Sequence, residues 1–201
     1  MGAIQLMDAD FYDRDYYDGD GKSNYDEYTF ESSPFANHAD AIARMIEHYR
    51  LSGPVLDIGC AKGYLVYMLR QRGIEAYGVD WSEYATASAS ADVRPFLRCA
   101  SALDLPYPDG YFGLAVSFDV LEHLDDCAAR RALAEAARVS RSQLHQVNTG
   151  RLAEWLYETD SSHCLKYSLQ EWTGMAAELE LPNTTICEPD RRLPFLDGAV
   201  R

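Results

Sequence analysis

Two aspartates that follow short apolar segments could bind a ligand. Asp57 lies near the end of the segment Val55–Ile58 and precedes a glycine-containing turn, Gly59–Gly63, while Asp80 closes a second apolar segment. Glycines in such a turn let a ligand approach the backbone, and a carboxylate there suits an ammonium group better than a pyrophosphate. The turn therefore favours a cationic ligand over NAD, and Asp80 is a candidate acceptor of hydrogen bonds from ribose hydroxyl groups.

A second group of reactive side chains follows the apolar segment Leu114–Phe118. It consists of Asp119, Glu122 and His123, and Asp160-Ser-Ser-His163 lies in a later segment. The carboxylates and imidazoles could share one divalent cation. Alternatively, His123, with a reference pKa of about 6.5, could act as a metal-free general base or position an acceptor. A hydrogen-bonded helix N-terminus is the third interpretation.

The alternation of apolar and amphipathic segments predicts the elements that position these residues. Predicted helices begin near residues 33, 65, 82, 127 and 168, and the predicted strands are Val55–Ile58, Ala76–Val79, Pro95–Cys99, Leu114–Phe118, Gln143–Val147 and Thr184–Cys187. Such alternation implies right-handed crossovers and an α/β fold with a doubly wound, mostly parallel sheet. Ligands of these sheets bind beyond the carboxyl ends of the strands, where the candidate residues should meet.

The N-terminal segment differs from the rest of the chain. Among the first 31 residues nine are acidic and two are basic, tyrosines are frequent, and no periodicity is evident. We expect residues 1–32 to form an arm or lid and residues 33–201 to form the ligand-binding domain. Residues 16–27 also resemble a calcium loop, although Tyr16 occupies its first ligand position. On the first helix, His38 and His48 are expected to be solvated.

Composition and charge exclude several classes of protein. The chain has 201 residues, of which 47% are hydrophobic and 25% charged, and its net charge is −14. This length predicts a single domain, and the charge argues against DNA binding. No apolar run reaches the roughly 18 residues that span a bilayer, and no secretory signal is evident, so we expect a cytoplasmic protein without membrane contact. Five scattered cysteines without a CxxC pair predict buried reduced thiols.

Four motifs, in this order, resemble those of the class I S-adenosylmethionine-dependent methyltransferases. They are VLDIGCAKG (55–63), GVDWSEYA (78–85), LDLPYPDGYF (103–112) and VSFDVLEHL (116–124). The resemblance implies a Rossmann-like methyltransferase fold, S-adenosylmethionine as cofactor and S-adenosylhomocysteine as product. By resemblance, the cofactor-binding residues are Asp57, Gly59, Cys60, Gly63, Asp80, Trp81, Ser101, Ala102 and Asp119. Ala61, Ser101 and Gly113 depart from the family's usual residues.

The same resemblance implies methyl transfer to a small-molecule acceptor, in secondary or specialised metabolism. His123 and His163 are the expected catalytic residues at the acceptor, no metal is expected, and a homodimer is compatible with the sequence. One alternative is a metal-dependent 2′-O-methyltransferase of RNA ends, because DVLEH resembles the ExxEH motif with Asp119 in place of the first glutamate. The other alternative is a noncatalytic cofactor-binding module that regulates or scaffolds a partner.

Overall fold

A six-stranded sheet forms the centre of the molecule. The structure is a computed structural model that describes residues 8–19, 22–23, 28–30, 35–149 and 162–189. The strand order is β3-β2-β1-β4-β5-β6, and every neighbouring pair is parallel. The predicted doubly wound α/β fold is thereby confirmed. The strands are β1 (Val55–Ile58), β2 (Ala76–Asp80), β3 (Leu97–Cys99), β4 (Leu114–Phe118), β5 (Gln143–Gln146) and β6 (Thr184–Cys187).

Helices cover both faces of this sheet. They are α1 (Arg14–Asp18), α2 (Phe35–Tyr49), α3 (Tyr64–Gln71), α4 (Glu83–Ser88), α5 (Asp126–Val139) and α6 (Leu169–Glu178). Successive strand residues point to opposite faces. Val55 accordingly packs with α2 and α3, whereas Leu56 and Ile58 pack against Ala136 and Val139 of α5. Of the described helices, none has the length and apolar character needed to cross a bilayer.

The strand register brings the candidate residues to one edge of the sheet. Ile58 of β1 pairs with Val79 of β2 on one side and with Ser117 of β4 on the other. The residues that follow these three strands therefore emerge side by side. Backbone pairing alone brings together the turn after β1, Asp80 and the segment from Asp119 onward.

The structure corrects several local predictions. Pro95 lies in a 3-10 turn, and β3 begins at Leu97, because proline has no N–H to donate to a sheet. The arm contains a short helix, α1, that periodicity did not predict; Asp13 caps it by accepting a hydrogen bond from the Tyr16 N–H at 3.1 Å. All five cysteines are free, but the prediction of buried thiols holds only for Cys60 and Cys187, because Cys99 and Cys127 are exposed and Cys164 is half-buried.

Candidate functional site

A cavity lies over the carboxyl ends of β1, β2 and β4. It encloses about 1330 Å³ of empty space, counting the part open to solvent. Its walls come from the strand ends, from the loop after β3 and from the N-terminal arm. The strand-end and loop residues that line it include Asp57, Gly59, Asp80, Trp81, Ser101, Ala102, Asp119 and His123. Doubly wound sheets bind ligands at this edge.

The turn after β1 needs glycine at two positions. Gly59 has a φ of +77°, and a Cβ added there would lie 2.3 Å from Cγ2 of Val120. Gly63 has a φ of +76°, and its added Cβ would lie 2.8 Å from Cδ1 of Leu97. Both positions therefore combine a backbone conformation that favours glycine with close packing. Gly59 lines the cavity, whereas Gly63 serves the packing of α3 on the sheet.

Asp80 fixes the geometry of the β1 and β2 ends. One carboxylate oxygen accepts a hydrogen bond from the Ala61 N–H at 2.8 Å, and the other accepts one from the Ser82 N–H at 2.8 Å. Burial raises the pKa of Asp80, although these two hydrogen bonds oppose the shift. Each carboxylate oxygen has a second lone pair. Asp80 can therefore hold the turn and still accept hydrogen bonds from a ligand.

Two further carboxylates face the cavity. Asp57 is 4% exposed, and burial together with the charge of Asp80 raises its pKa well above the usual range. Asp119 has a φ of +54° and opens onto the cavity, where surrounding protein still desolvates it and raises its pKa to about 6. No lysine or arginine is among the described lining residues. A cationic ligand would stabilise the ionised form of these acids.

His123 lines the cavity and has His163 beside it. A short 3-10 turn, Leu121–His123, follows β4. The His123 Nδ1 lies 2.8 Å from the Ser162 hydroxyl, and the His123 and His163 rings are 4.6 Å apart between centroids. The Ser162 contact fixes the orientation of the imidazole. The two histidines predicted to be catalytic are therefore neighbours, although only His123 reaches the cavity wall.

Glu122, next to His123, connects neighbouring segments of the chain through hydrogen bonds. It is fully buried, and one of its carboxylate oxygens accepts a hydrogen bond from the Asn148 N–H at 2.7 Å. Its backbone carbonyl accepts hydrogen bonds from the N–H groups of Cys164 and Leu165. Glu122 thereby joins the end of β5 to the segment that carries His163. Within the described part of the chain, no three metal-ligating side chains converge on one point.

The N-terminal arm covers the cavity with tyrosines. Tyr12, Tyr16, Tyr17 and Tyr28 line it. Lys62, in the turn after β1, pairs with the carboxylate of Asp18 at 2.5 Å, and the Tyr84 hydroxyl donates to the same carboxylate at 2.7 Å. The Ser82 hydroxyl donates to the Tyr12 carbonyl. Side-chain contacts thus attach the arm to the ends of β1 and β2. The suggested calcium loop lies partly outside the described residues.

The structure brings eight of the eleven predicted site residues to the cavity wall, and Cys60, Gly63 and His163 are the exceptions. Cys60 points into the sheet: its Sγ lies 2.6 Å from where a Cβ on Gly78 would stand. The glycine in β2 therefore provides room for a thiol that faces away from the cavity.

Sequence reasoning missed the histidine of α2 that lies in the cavity wall. His38 was expected to be solvated, yet it is 8% exposed and lines the cavity. The signal was present, because Ile42 and Met45 follow His38 at i+4 and i+7 on the apolar face of α2. The other buried histidine, His145, has hydrogen-bond partners within the sheet, Ser117 and Gln143.

Comparison with known proteins supports one family. Residues 56–143 match the family described as "Methyltransferase domain". A "Probable S-adenosylmethionine-dependent methyltransferase" of Mycolicibacterium smegmatis is 30% identical over 108 residues, which cover 53% of this chain and 41% of that protein. Ajmaline N-methyltransferase of Rauvolfia serpentina is 29% identical over 96 residues, covering 44% of this chain and 32% of that protein. The chain thus matches less than half the length of these two relatives.

A solved structure shares the fold. The crystal structure of an S-adenosylmethionine-dependent methyltransferase from Archaeoglobus fulgidus superposes with a TM-score of 0.60. The match covers 75% of this chain and 70% of that one, at 21% sequence identity.

Proposed function

We propose, from the premise that this chain belongs to the class I S-adenosylmethionine-dependent methyltransferases, that it transfers a methyl group to a small-molecule acceptor. The observation that carries the proposal is the set of three acidic side chains, Asp57, Asp80 and Asp119, around an open cavity at the strand ends. A noncatalytic module would bind the cofactor in the same cavity; a structure with bound cofactor that leaves space for an acceptor beside the methyl group would favour the enzyme.

The residues present fit S-adenosylmethionine. Gly59 leaves the backbone bare where a side chain would collide with Val120. The buried carboxylate of Asp57 suits an ammonium group, and Asp80 has lone pairs left for ribose hydroxyls. Trp81 is 42% exposed at the cavity rim, where an indole can border an adenine. Ser101 is a weaker partner for the adenine, since its Oγ already accepts a hydrogen bond from the Leu103 N–H at 3.1 Å.

The chemistry requires alignment and loss of one proton. When bound, S-adenosylmethionine would supply a methyl group on a sulfonium sulfur. A nucleophile that attacks this methyl group in line would displace the sulfur, which keeps the bonding electrons. We assign His123 to the acceptor, where it takes the proton that the nucleophile loses or positions that nucleophile. Ser162 orients its ring through Nδ1, and His163 packs beside it. The Asp119 carboxylate provides negative charge near the same end of the cavity.

The metal-dependent alternative has less support. Glu122, one of its required ligands, is committed to the Asn148 N–H. The net charge of −14 also disfavours RNA. A small-molecule acceptor is further supported by one relative, which is named as a methyltransferase of ajmaline. Specialised metabolism, a cytoplasmic location, a homodimer and the division into an arm and a domain at residue 32 remain predictions from the sequence.

The function is tested by incubating the protein with S-adenosylmethionine and a collection of metabolites while S-adenosylhomocysteine is measured. With an active acceptor, we expect His123→Ala to lower turnover by about 10²-fold or more and leave cofactor affinity unchanged. His48→Ala, on the exposed side of α2, is the matched control.

A chelator of divalent metals should leave the activity intact. Loss of activity that added divalent metal restores would favour the metal-dependent alternative instead. If the His123→Ala enzyme remains active in the presence of chelator, His123 is neither the general base or positioning residue nor a metal ligand.

A further inference from the structure

His38 is a buried polar residue that the proposed mechanism does not use. Its Nδ1 is enclosed and has no hydrogen-bond partner in the described part of the chain. Burial lowers the pKa of His38 to about 4, so the ring is neutral at physiological pH. A neutral imidazole carries one donor and one acceptor nitrogen. The residue is therefore a polar side chain in the cavity wall, and none of the described residues bonds to its enclosed Nδ1.

The cost of this arrangement indicates a ligand. A buried polar group without a partner destabilises the folded state, whereas an apolar ring of similar shape would not. The stacking of His38 on Phe118, with centroids 4.3 Å apart and planes at 17°, needs only an aromatic ring. Phenylalanine could fill this position on the apolar face of α2. The imidazole nitrogens have no structural task that the packing explains.

The location of His38 points to the acceptor. All the residues predicted to bind the cofactor except Asp119 lie at or after the ends of β1, β2 and β3. His38 instead stacks on Phe118, the last residue of β4, which leads directly into Asp119 and the His123 turn. Both His38 and His123 line the same cavity. His38 therefore belongs to the side of the cavity where the proposed acceptor group lies.

The surroundings of His38 restrict the chemistry of its partner. Phe35, Phe118, Tyr17 and Tyr28 line the same cavity, so a flat apolar scaffold would be well packed. The carboxylates of the cavity wall repel an anion. A hydroxyl can donate to or accept from an imidazole in either tautomer, whereas an ether can only accept.

We propose that His38 binds a hydroxyl group of the methyl acceptor, and that this acceptor is a flat, uncharged, largely apolar molecule of the phenol class. This inference rests on the proposed function. It assigns His38 to acceptor binding and leaves cofactor binding to the strand-end carboxylates.

The first test replaces the imidazole by an apolar aromatic ring. His38→Phe should keep the stack on Phe118 and raise the melting temperature by roughly 2–4 °C, because an unpartnered polar group is removed. Its affinity for S-adenosylhomocysteine, measured by calorimetry, should equal that of the wild type. His48→Phe, on the exposed side of the same helix, is the matched control. A lower melting temperature of His38→Phe would assign His38 a structural role, and weakened binding of S-adenosylhomocysteine would assign it to the cofactor; either result overturns the proposal.

The second test uses the wild-type protein with isotope-labelled histidine, saturated with S-adenosylhomocysteine. Phenol should shift the His38 ring signals in NMR titrations, while anisole and benzoate should bind about tenfold more weakly or not at all. His38→Phe should weaken phenol binding by about tenfold, and His48→Phe should leave it unchanged. Unmoved His38 signals with phenol, or equal responses to all three probes, would overturn the proposal. Binding of S-adenosylhomocysteine in the same samples keeps the methyltransferase assignment separate from this result.

Discussion

The floor of the cavity and the arm that covers it are held in place by different forces. The floor, formed by Asp57, Gly59 and Asp80, lies at the ends of β1 and β2, whose register is fixed by backbone hydrogen bonds in the centre of the sheet. The arm contributes tyrosines from a five-residue helix and is attached through side chains, chiefly those of Asp18 and Lys62. We therefore expect ligand binding at the floor to be separable from the covering of the cavity by the arm.

The floor and the arm should also differ in how strongly a single substitution destabilises them. Removal of one surface side chain leaves a sheet register intact, because many backbone hydrogen bonds fix it together. The arm depends on few polar contacts and on the packing of Tyr16, Tyr17 and Tyr28 against Ala61 and Ala85. Burial would raise the pKa of Asp18, but hydrogen bonds from Lys62 and Tyr84 and the charge of Lys62 lower it. Lys62 and Tyr84 therefore stabilise the ionised form of the Asp18 carboxylate.

The largest expected effect comes from breaking the floor at Gly59. Gly59→Ala places a Cβ at positive φ and against Val120, so we expect both a large loss of stability and loss of cofactor binding. Gly73→Ala is the matched control, because Gly73 has a φ of +76° with nothing within 4 Å of the added Cβ. The control should lose only about 1–2 kcal/mol in urea unfolding. Equal losses in the two variants would contradict the close approach to Val120.

Asp80→Ala should weaken binding of S-adenosylmethionine by about tenfold or more. The variant removes charge-assisted hydrogen bonds to the ligand and two hydrogen bonds that hold the turn. Calorimetry provides the affinity, and Asp104→Ala, at an exposed position after β3, is the control. Unchanged affinity in a folded Asp80→Ala protein would disprove the assignment of Asp80.

Loss of the ion pair between the arm and the turn after β1 should leave the floor intact. Lys62→Met removes an ion pair whose side chains are 12% and 18% exposed, so local opening of α1 should become easier by roughly 1–3 kcal/mol. Hydrogen exchange of residues 14–18 measures this opening. Lys22→Met is the control, since the Lys22–Asp13 pair is 35% and 42% exposed and should contribute about 1 kcal/mol or less. Equal exchange in the two variants would show that the aromatic packing alone holds the arm.

The arm should also respond to the ligand. Its tyrosines line the cavity, so hydrogen exchange of the arm should slow when cofactor or product binds. The same measurement on the floor strands should show little change. Equal protection of the arm in both states would make it a fixed element of the fold.

The smallest effect concerns pH. The pKa of Asp119 is raised to about 6 in the folded protein from a usual value of 3.8, so the folded state binds this proton more tightly than the unfolded state. Its contribution to stability is complete below the unfolded pKa and is lost as the pH rises through 6. Between pH 7 and pH 5 the ligand-free protein should therefore become more stable, while affinity for the cationic cofactor should fall. Asp119→Asn should weaken both trends in thermal unfolding and calorimetry, and the raised pKa values of Asp57 and Asp80 should leave the remainder.

The two regions also differ in how well the sequence predicts them. Strands β1, β2 and β4 end at turns that the pattern of apolar residues and glycines marks, so Asp57, Asp80 and Asp119 could be placed at one edge of the sheet in advance. The orientation of Cys60 could not, since it depends on Gly78 across the β1–β2 pair. The helix in the arm has only five residues, too few to show the helical spacing of apolar side chains, although Asp13 is a recognisable N-cap. The apolar periodicity of α2 could have indicated the burial of His38, but its stack on Phe118 could not be predicted, because Phe118 is far away in sequence.

The central claim, that the floor binds S-adenosylmethionine, is tested most directly by calorimetry of the wild-type chain with S-adenosylmethionine and, separately, with NAD. The strand order of this sheet also occurs in dinucleotide-binding proteins, so NAD is a stringent comparison. We predict that one S-adenosylmethionine binds per chain and that NAD does not compete, because the acidic floor repels a pyrophosphate. Absence of S-adenosylmethionine binding by the folded protein, or displacement of S-adenosylmethionine by NAD, would contradict this account.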